Sequence, residues 1–142
     1  MNEAKNENKI LLLYLNKTTR KKEAVVLTET ENKTLGSCLG GELLTETSIA
    51  DKNLHGTHIS ADDGEIRKNA PYSLVCVSYA VERVPPVLID TLRPSGRLLI
   101  PVLFGYKKQL KELIEKIEDG KIKVTMCGES FYPHEQPPDC SA

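Results

Sequence analysis

The chain has 142 residues, with 19 Lys and Arg against 20 Asp and Glu, a formal net charge of -1, and four cysteines. That length fits one domain with a single core, and the even charge balance gives no sign of a polyanion partner. No apolar run reaches the ~20 residues of a membrane span. Cys38, Cys76, Cys127 and Cys140 are scattered, with no CxxC pair and no histidine at zinc-ligand spacing. The expectation is a cytoplasmic protein with no nucleic acid and no membrane among its partners.

In chain order, residues 1–8 are polar and read as a loose tail, and Lys9 to Leu15 (KILLLYL) is an apolar run suited to a strand buried on both faces. The basic loop with Arg20, Lys21 and Lys22 lacks interleaved aromatics and reads as solvated. The Asn16-Lys17-Thr18 and Asn32-Lys33-Thr34 sequons are read as chance matches without a secretory signal. Residues 23–29 (EAVVLTE) form a second β-rich segment, and residues 36–56 are the least patterned, with a short helix around Cys38 to Leu44 as one reading.

A short strand ending in an acidic turn follows at 56–65, then a buried strand at 72–78. Pro85 is placed to open a short helix with Val87, Leu88 and Leu92 on its apolar face. Residues 93–96 (RPSG) read as a turn and 97–102 (RLLIPV) as a strand. Residues 107–120 (KKQLKELIEKIEDG) give a helical period, with Leu110, Leu113, Ile114 and Ile117 at i, i+3, i+4 and i+7 and Gly120 as the cap. Residues 121–131 read as a last strand, and 134–142 as a loose tail. Strands alternating with helical segments predict an α/β sandwich with a mostly parallel sheet flanked by helices. In such a sheet, ligands bind outside the carboxyl ends of the strands.

Residues 70–102, APYSLVCVSYAVERVPPVLIDTLRPSGRLLIPV, carry a more specific signal. Together with Asp63-Gly64 before them, QLKELIEKIEDGKIKV after them and Phe131 to Pro133, they resemble the carboxyl-terminal half of the protein-L-isoaspartate (D-aspartate) O-methyltransferases. That family shows a D-G turn, an A-P-Y-D strand opening, an IPxxLIxQLKPGGRLxxPVG run and a closing strand that meets a proline. The resemblance implies a Rossmann-like fold, here a single partial domain over residues 1–142, that uses S-adenosylmethionine. It also implies protein repair by methylation of isoaspartyl carboxyls, with isoaspartyl-containing proteins or peptides as partners. A sulfonium methyl is already electrophilic and a carboxylate already nucleophilic, so catalysis rests on positioning and electrostatics.

By the same resemblance, Glu29 occupies the place of the acidic residue that binds the cofactor ribose. Asp63-Gly64 takes the turn beside the adenine, and Ser78, Tyr79 and Ala80 line the methyl-donor pocket, with Tyr79 larger than the family's small residues. No catalytic residue and no metal ligand is assigned.

Four departures stand beside the matches. The connection after the first strand has no glycine and is too short for a crossover helix, and no counterpart is found for the family's T-I-S-x-P substrate segment. Ser73 replaces the aspartate after A-P-Y, and Ser95 and Leu103 replace glycines. These departures predict weak or absent cofactor binding and catalysis by this chain alone. The alternative readings are an inactive interaction module, able to self-associate through an exposed sheet edge, or an incomplete gene product that keeps the half-fold. Ser130, His134 and Asp139 as a triad, and His55 with His58 as metal ligands, are weaker readings, since the surrounding sequence offers no nucleophile elbow and no third ligand.

Overall fold

The protein is represented by a computed structural model that describes residues 9–16, 18–28, 56–104, 108–117 and 121–129. Its centre is a seven-stranded sheet made of β1 (Lys9–Leu15), β2 (Lys22–Thr28), β3 (Gly56–Ile59), β4 (Tyr72–Val77), β5 (Leu92–Leu103), β6 (Gln109–Lys116) and β7 (Ile122–Glu129). The strands lie side by side in the order β3-β2-β1-β4-β5-β6-β7. Among the described residues two short helices, α1 (Asp63–Lys68) and α2 (Pro86–Asp90), flank β4 in the chain. Among the described residues no helix is long and apolar enough to cross a membrane.

The spatial order β3-β2-β1-β4-β5 is the one found in doubly wound nucleotide-binding sheets, but the strand directions differ from the expected mostly parallel sheet. β1–β4 and β4–β5 pair in parallel, while β1–β2, β2–β3, β5–β6 and β6–β7 are antiparallel. The reason lies in the connections. Leu15 and Lys22 are paired residues, so only 16–21 join β1 to β2. A parallel return would need a dozen residues or more.

Apolar side chains fill both faces of the sheet. Leu11, Leu13, Val75, Val77, Leu98, Ile100 and Ile114 pack with Ile66 of α1 and Val87 and Leu88 of α2, while Ile10, Leu12, Val25, Leu27, Leu74, Cys76 and Leu99 form a second buried cluster. The continuous apolar runs of β1 and β4 thus alternate between two cores, as strands buried on both sides require.

The helix expected over 107–120 is a strand. β6 pairs with β5 from Arg97↔Glu115 to Leu103↔Gln109, and with β7 on its other side. Alternation sends Ile114 into the helix-bearing core and turns Leu113 to the opposite cluster. Lys116, on the same side as Ile114, donates its ammonium to the carbonyls of Ile89, Asp90 and Leu92 at 3.2, 3.3 and 3.0 Å. It thereby satisfies acceptors at the end of α2, where a cation also opposes the helix dipole. The chemistry of 110–117 fits either period, and the ladder hydrogen bonds of the two neighbouring strands decide it.

Smaller differences follow local geometry. Pro85 is the extended residue before α2 (φ -65°, ψ 130°), and Pro86 opens the helix. Leu92 begins β5 rather than ending the helix. The expected turn at 93–96 is an insertion within β5, since Tyr72 pairs with Leu92 but Leu74 pairs with Arg97. Ser95 sits there at φ 73°. A Cβ on Gly96 would lie 2.8 Å from the Arg93 carbonyl oxygen and 3.0 Å from that of Tyr72, so glycine is needed for this close approach.

Tyr72 anchors α1 to β4. Its ring is fully buried and its hydroxyl donates to the Ile66 carbonyl oxygen at 2.7 Å. Burial, with a smaller contribution from the Glu65 carboxylate, pushes its hydroxyl up to about 12. Ser73, where the family has aspartate, donates to the Lys9 carbonyl oxygen at 3.0 Å, and the Lys9 ammonium reaches the Asn69 carbonyl oxygen at 3.0 Å. Together these bonds clamp the amino ends of β1 and β4.

Two measurements check this description. Ile114 is 2% exposed and Ile117 is 47% exposed. Urea unfolding should show Ile114→Ala losing about 2–4 kcal/mol and Ile117→Ala less than ~0.5 kcal/mol. A helix with both residues on one buried face would make the two losses comparable. Tyr72 is protonated in the folded chain at pH values where an unfolded tyrosine (about 10) has ionised. Its contribution is complete below pH 10 and is lost as pH rises through about 12. Stability of the wild type should therefore fall by about 3 kcal/mol over that window, and Tyr72→Phe should abolish that part of the fall, read by urea midpoints against pH.

Candidate functional site

Register defines one edge of the sheet. Ile59, Ala24, Leu13 and Val77 form a row across β3, β2, β1 and β4. Above this row lie the carboxyl ends of β1, β3 and β4 and the amino end of β2. Ligands of open α/β sheets bind outside such carboxyl ends.

The connection after β1 is a closed hairpin. Asn16 Oδ1 accepts from the backbone N–H groups of Thr18 and Thr19 at 2.8 and 3.0 Å, and Thr19 Oγ1 accepts from the N–H of Lys21 at 3.3 Å. The Asn16 N–H donates to the Lys21 carbonyl oxygen at 2.9 Å, and Arg20 reverses the chain at φ 63°. An Asx side chain organising its own turn is a known property of asparagine. Asn16 Nδ2 also donates to Glu23 Oε2 (3.3 Å), and the Tyr14 hydroxyl donates to Glu23 Oε1 (3.2 Å). The turn is thus fastened to both strands, and the loop read as solvated and basic has a defined shape.

Beside the hairpin, the chain after β4 is held from two sides. The Ser78 N–H donates to the Leu13 carbonyl oxygen at 2.8 Å. Val81 bridges to Val102, donating to the Pro101 carbonyl oxygen at 3.0 Å and accepting from the Leu103 N–H at 2.8 Å. Ser78 and Tyr79 are each 4% exposed, and Ala80 is fully buried. The Lys22 ammonium lies 5.6 Å from the centre of the Tyr79 ring, within range of a cation–π attraction.

Asp63 and Gly64 form the exposed first turn of α1. The capping residue is their neighbour Asp62, whose Oδ1 accepts from the Glu65 N–H at 2.9 Å, while Ser60 Oγ donates to Oδ2 at 2.7 Å. Those bonds hold the Asp62 carboxyl below its usual range, with the Glu65 N–H as the larger cause. Among the described residues a Cβ on Gly64 would meet only Asp62 Oδ1, at 3.4 Å, so their packing does not demand glycine there.

The structure therefore brings Asp63, Gly64, Ser78, Tyr79 and Ala80 to one edge, with Asp63-Gly64 at its β3 end and the other three beyond β4. Glu29 lies outside the described residues. The residue before it, Thr28, pairs with Lys9, at the opposite edge of the sheet. His58 is an exposed residue of β3 paired with Val25. His55, the region around Cys38 to Leu44 and the set Ser130, His134 and Asp139 lie outside the described residues. Among those described, no cluster of His, Cys, Asp and Glu is arranged to hold a metal ion.

Sequence reasoning missed two residues that shape this edge. Asn16 was signalled by an asparagine ending an apolar strand and followed by a polar run, the composition of an Asx turn. Lys22 had no signal, because only the register sets it over Tyr79.

A profile of the protein-L-isoaspartate(D-aspartate) O-methyltransferase family matches residues 42–134. The chain belongs to this family. Protein-L-isoaspartate O-methyltransferase 2 of Arabidopsis thaliana is 41% identical over 83 residues, covering 56% of this chain and 26% of the relative. Protein-L-isoaspartate O-methyltransferase 1 of Cupriavidus necator is 44% identical over 57 residues, covering 40% of this chain and 22% of the relative. A solved protein-L-isoaspartate O-methyltransferase superposes with a TM-score of 0.50 at 17% identity, over 63% of this chain and 29% of that one, a likeness of fold. The chain thus spans about a quarter of the length of the curated relatives it matches.

The matched stretch contains β3 to β7 and both helices, whereas the β1–β2 hairpin, residues 9–28, precedes it. Among the described residues, the edge does not fit the donor site that the family implies. A turn without glycine closes the edge after β1, Tyr79 is buried beneath Lys22 where small residues are expected, and β2 ends on the far side of the sheet.

The hairpin's dependence on Asn16 is directly measurable. Asn16→Ala leaves two turn N–H groups without their acceptor and should lower stability by about 1–2 kcal/mol, read by urea denaturation. A loss under ~0.3 kcal/mol would remove Asn16 from this role.

Proposed function

We propose that this chain is a divergent member of the repair methyltransferases that keeps their carboxyl-terminal scaffold and has lost most or all of the methyl-transfer activity. The family's reaction, as the resemblance gives it, moves a methyl group from S-adenosylmethionine to the α-carboxyl of an isoaspartyl residue in a damaged protein. The resulting ester collapses to a succinimide, from which normal aspartate can re-form. Glu29, Asp63, Gly64, Ser78, Tyr79 and Ala80 are the positions that correspond to the donor site.

The observation that carries the reading is the closed edge itself. A donor needs backbone that can approach it closely after β1, which glycine permits and a side-chain-bearing turn obstructs. The pair of Tyr79 and Lys22 occupies the neighbouring space. Gly64 supports descent from a donor-binding ancestor, since packing among the described residues does not demand glycine there. The role left to such a scaffold is non-catalytic interaction.

Titration calorimetry with S-adenosylmethionine, paired with a methylation assay on an isoaspartyl peptide, tests the proposal. The expected result is no saturable heat up to about 1 mM donor, an affinity weaker than about -4 kcal/mol, and no methyl ester above background. Micromolar binding together with peptide methylation would overturn it.

A further inference from the structure

We propose that β7 is a self-recognition strand, which pairs antiparallel with β7 of a second copy across a two-fold axis at Val124. Among the described residues the sheet ends at β3 on one side and β7 on the other. β3 has four residues, a short edge of the kind that resists pairing. β7 has eight, all exposed, and among the described residues pairs only with β6. Its outer N–H and C=O groups therefore form a long row open to another strand.

Among the described residues, three of the five large hydrophobic side chains that stand exposed, Ile122, Val124 and Met126, alternate along this strand. They pair with Lys116, Ile114 and Glu112 and so lie on the face that carries α1 and α2. Beyond Met126 the ladder is interrupted by a bulge, because Glu112 pairs with Met126 but Leu110 pairs with Glu129, and Gly128 takes φ 113° there. The regular part of the strand is Ile122-Lys123-Val124-Thr125-Met126, apolar and polar by turns and symmetric about Val124.

That symmetry names the occupant. With Val124 on the axis, Ile122 faces Met126 of the second copy and Lys123 faces its Thr125. Six apolar side chains then form one continuous stripe, with no like charges directly opposite. Moving the axis to Lys123 would set two ammonium groups against each other, which is unfavourable. Moving it to Thr125 would place Lys123 against Cys127, inside the bulge where the ladder is broken. The sequence that follows β7 is a poor competitor for the edge, since Pro133, Pro137 and Pro138 lack the N–H that a ladder needs. The inference does not depend on the methyl-donor reading.

Sedimentation equilibrium over about 1 μM to 1 mM, the span of weak association, tests it on the full chain. The mass of the wild type should rise from 15.8 kDa toward twice that value. Val124→Lys, at an exposed position that folding tolerates, should weaken the dimer at least tenfold. In a background with Cys38, Cys127 and Cys140 replaced by serine, Cys76 being buried, Val124→Cys should give an oxidised covalent dimer and Lys123→Cys should not. A wild type that stays monomeric throughout, a dimer indifferent to Val124→Lys, or equal cross-linking at 123 and 124 would each overturn the proposal.

Discussion

The short connection between β1 and β2 is the constraint on which the rest of the structure depends. Leu15 and Lys22 are paired, so residues 16–21 must turn the chain within the width of one strand spacing. Asn16 makes that possible by accepting the N–H groups the turn would otherwise leave open. β2 runs back along β1 and β3 is antiparallel to β2, so the familiar order β3-β2-β1-β4-β5 is kept with the direction of one strand reversed.

The reversal reaches the chemistry through position. In a doubly wound sheet the carboxyl ends of the first and second strands lie together at the ligand edge. Here the amino end of β2 arrives there instead, and brings Lys22 over Tyr79. The carboxyl end of β2 lies beside Lys9, a strand's length away. The family-matched stretch, from residue 42 onward, keeps the half of the edge it contributes: the first turn of α1 and the segment after β4. Tyr79 of that edge faces Lys22, from a hairpin outside the matched stretch.

Much of this was legible in the sequence because buried strands write themselves as apolar runs. β1, β2, β4 and the later part of β5 follow that rule, and the resemblance over residues 70–102 pointed to the family. β6 was misread because Leu110, Leu113, Ile114 and Ile117 satisfy a helical period while its lysines and glutamates look like a solvated helix face. In the strand those side chains alternate between the two faces, and Lys116 reaches the end of α2. Asp119-Gly120 between two short runs was the contrary signal, since Asp-Gly favours a hairpin turn. The direction of β2 was legible in part, because the missing crossover was evident from length alone. The contact of Lys22 with Tyr79 was not, because it depends on the register.

The most direct test of the central claim is the register of β1 against β2. Backbone NOEs in isotope-labelled protein should connect Leu11 with Val26 and Leu13 with Ala24, numbers falling on one strand as they rise on the other. NOEs in which residue numbers rise together on the two strands would place β2 parallel to β1, reopen the ligand edge and contradict the account.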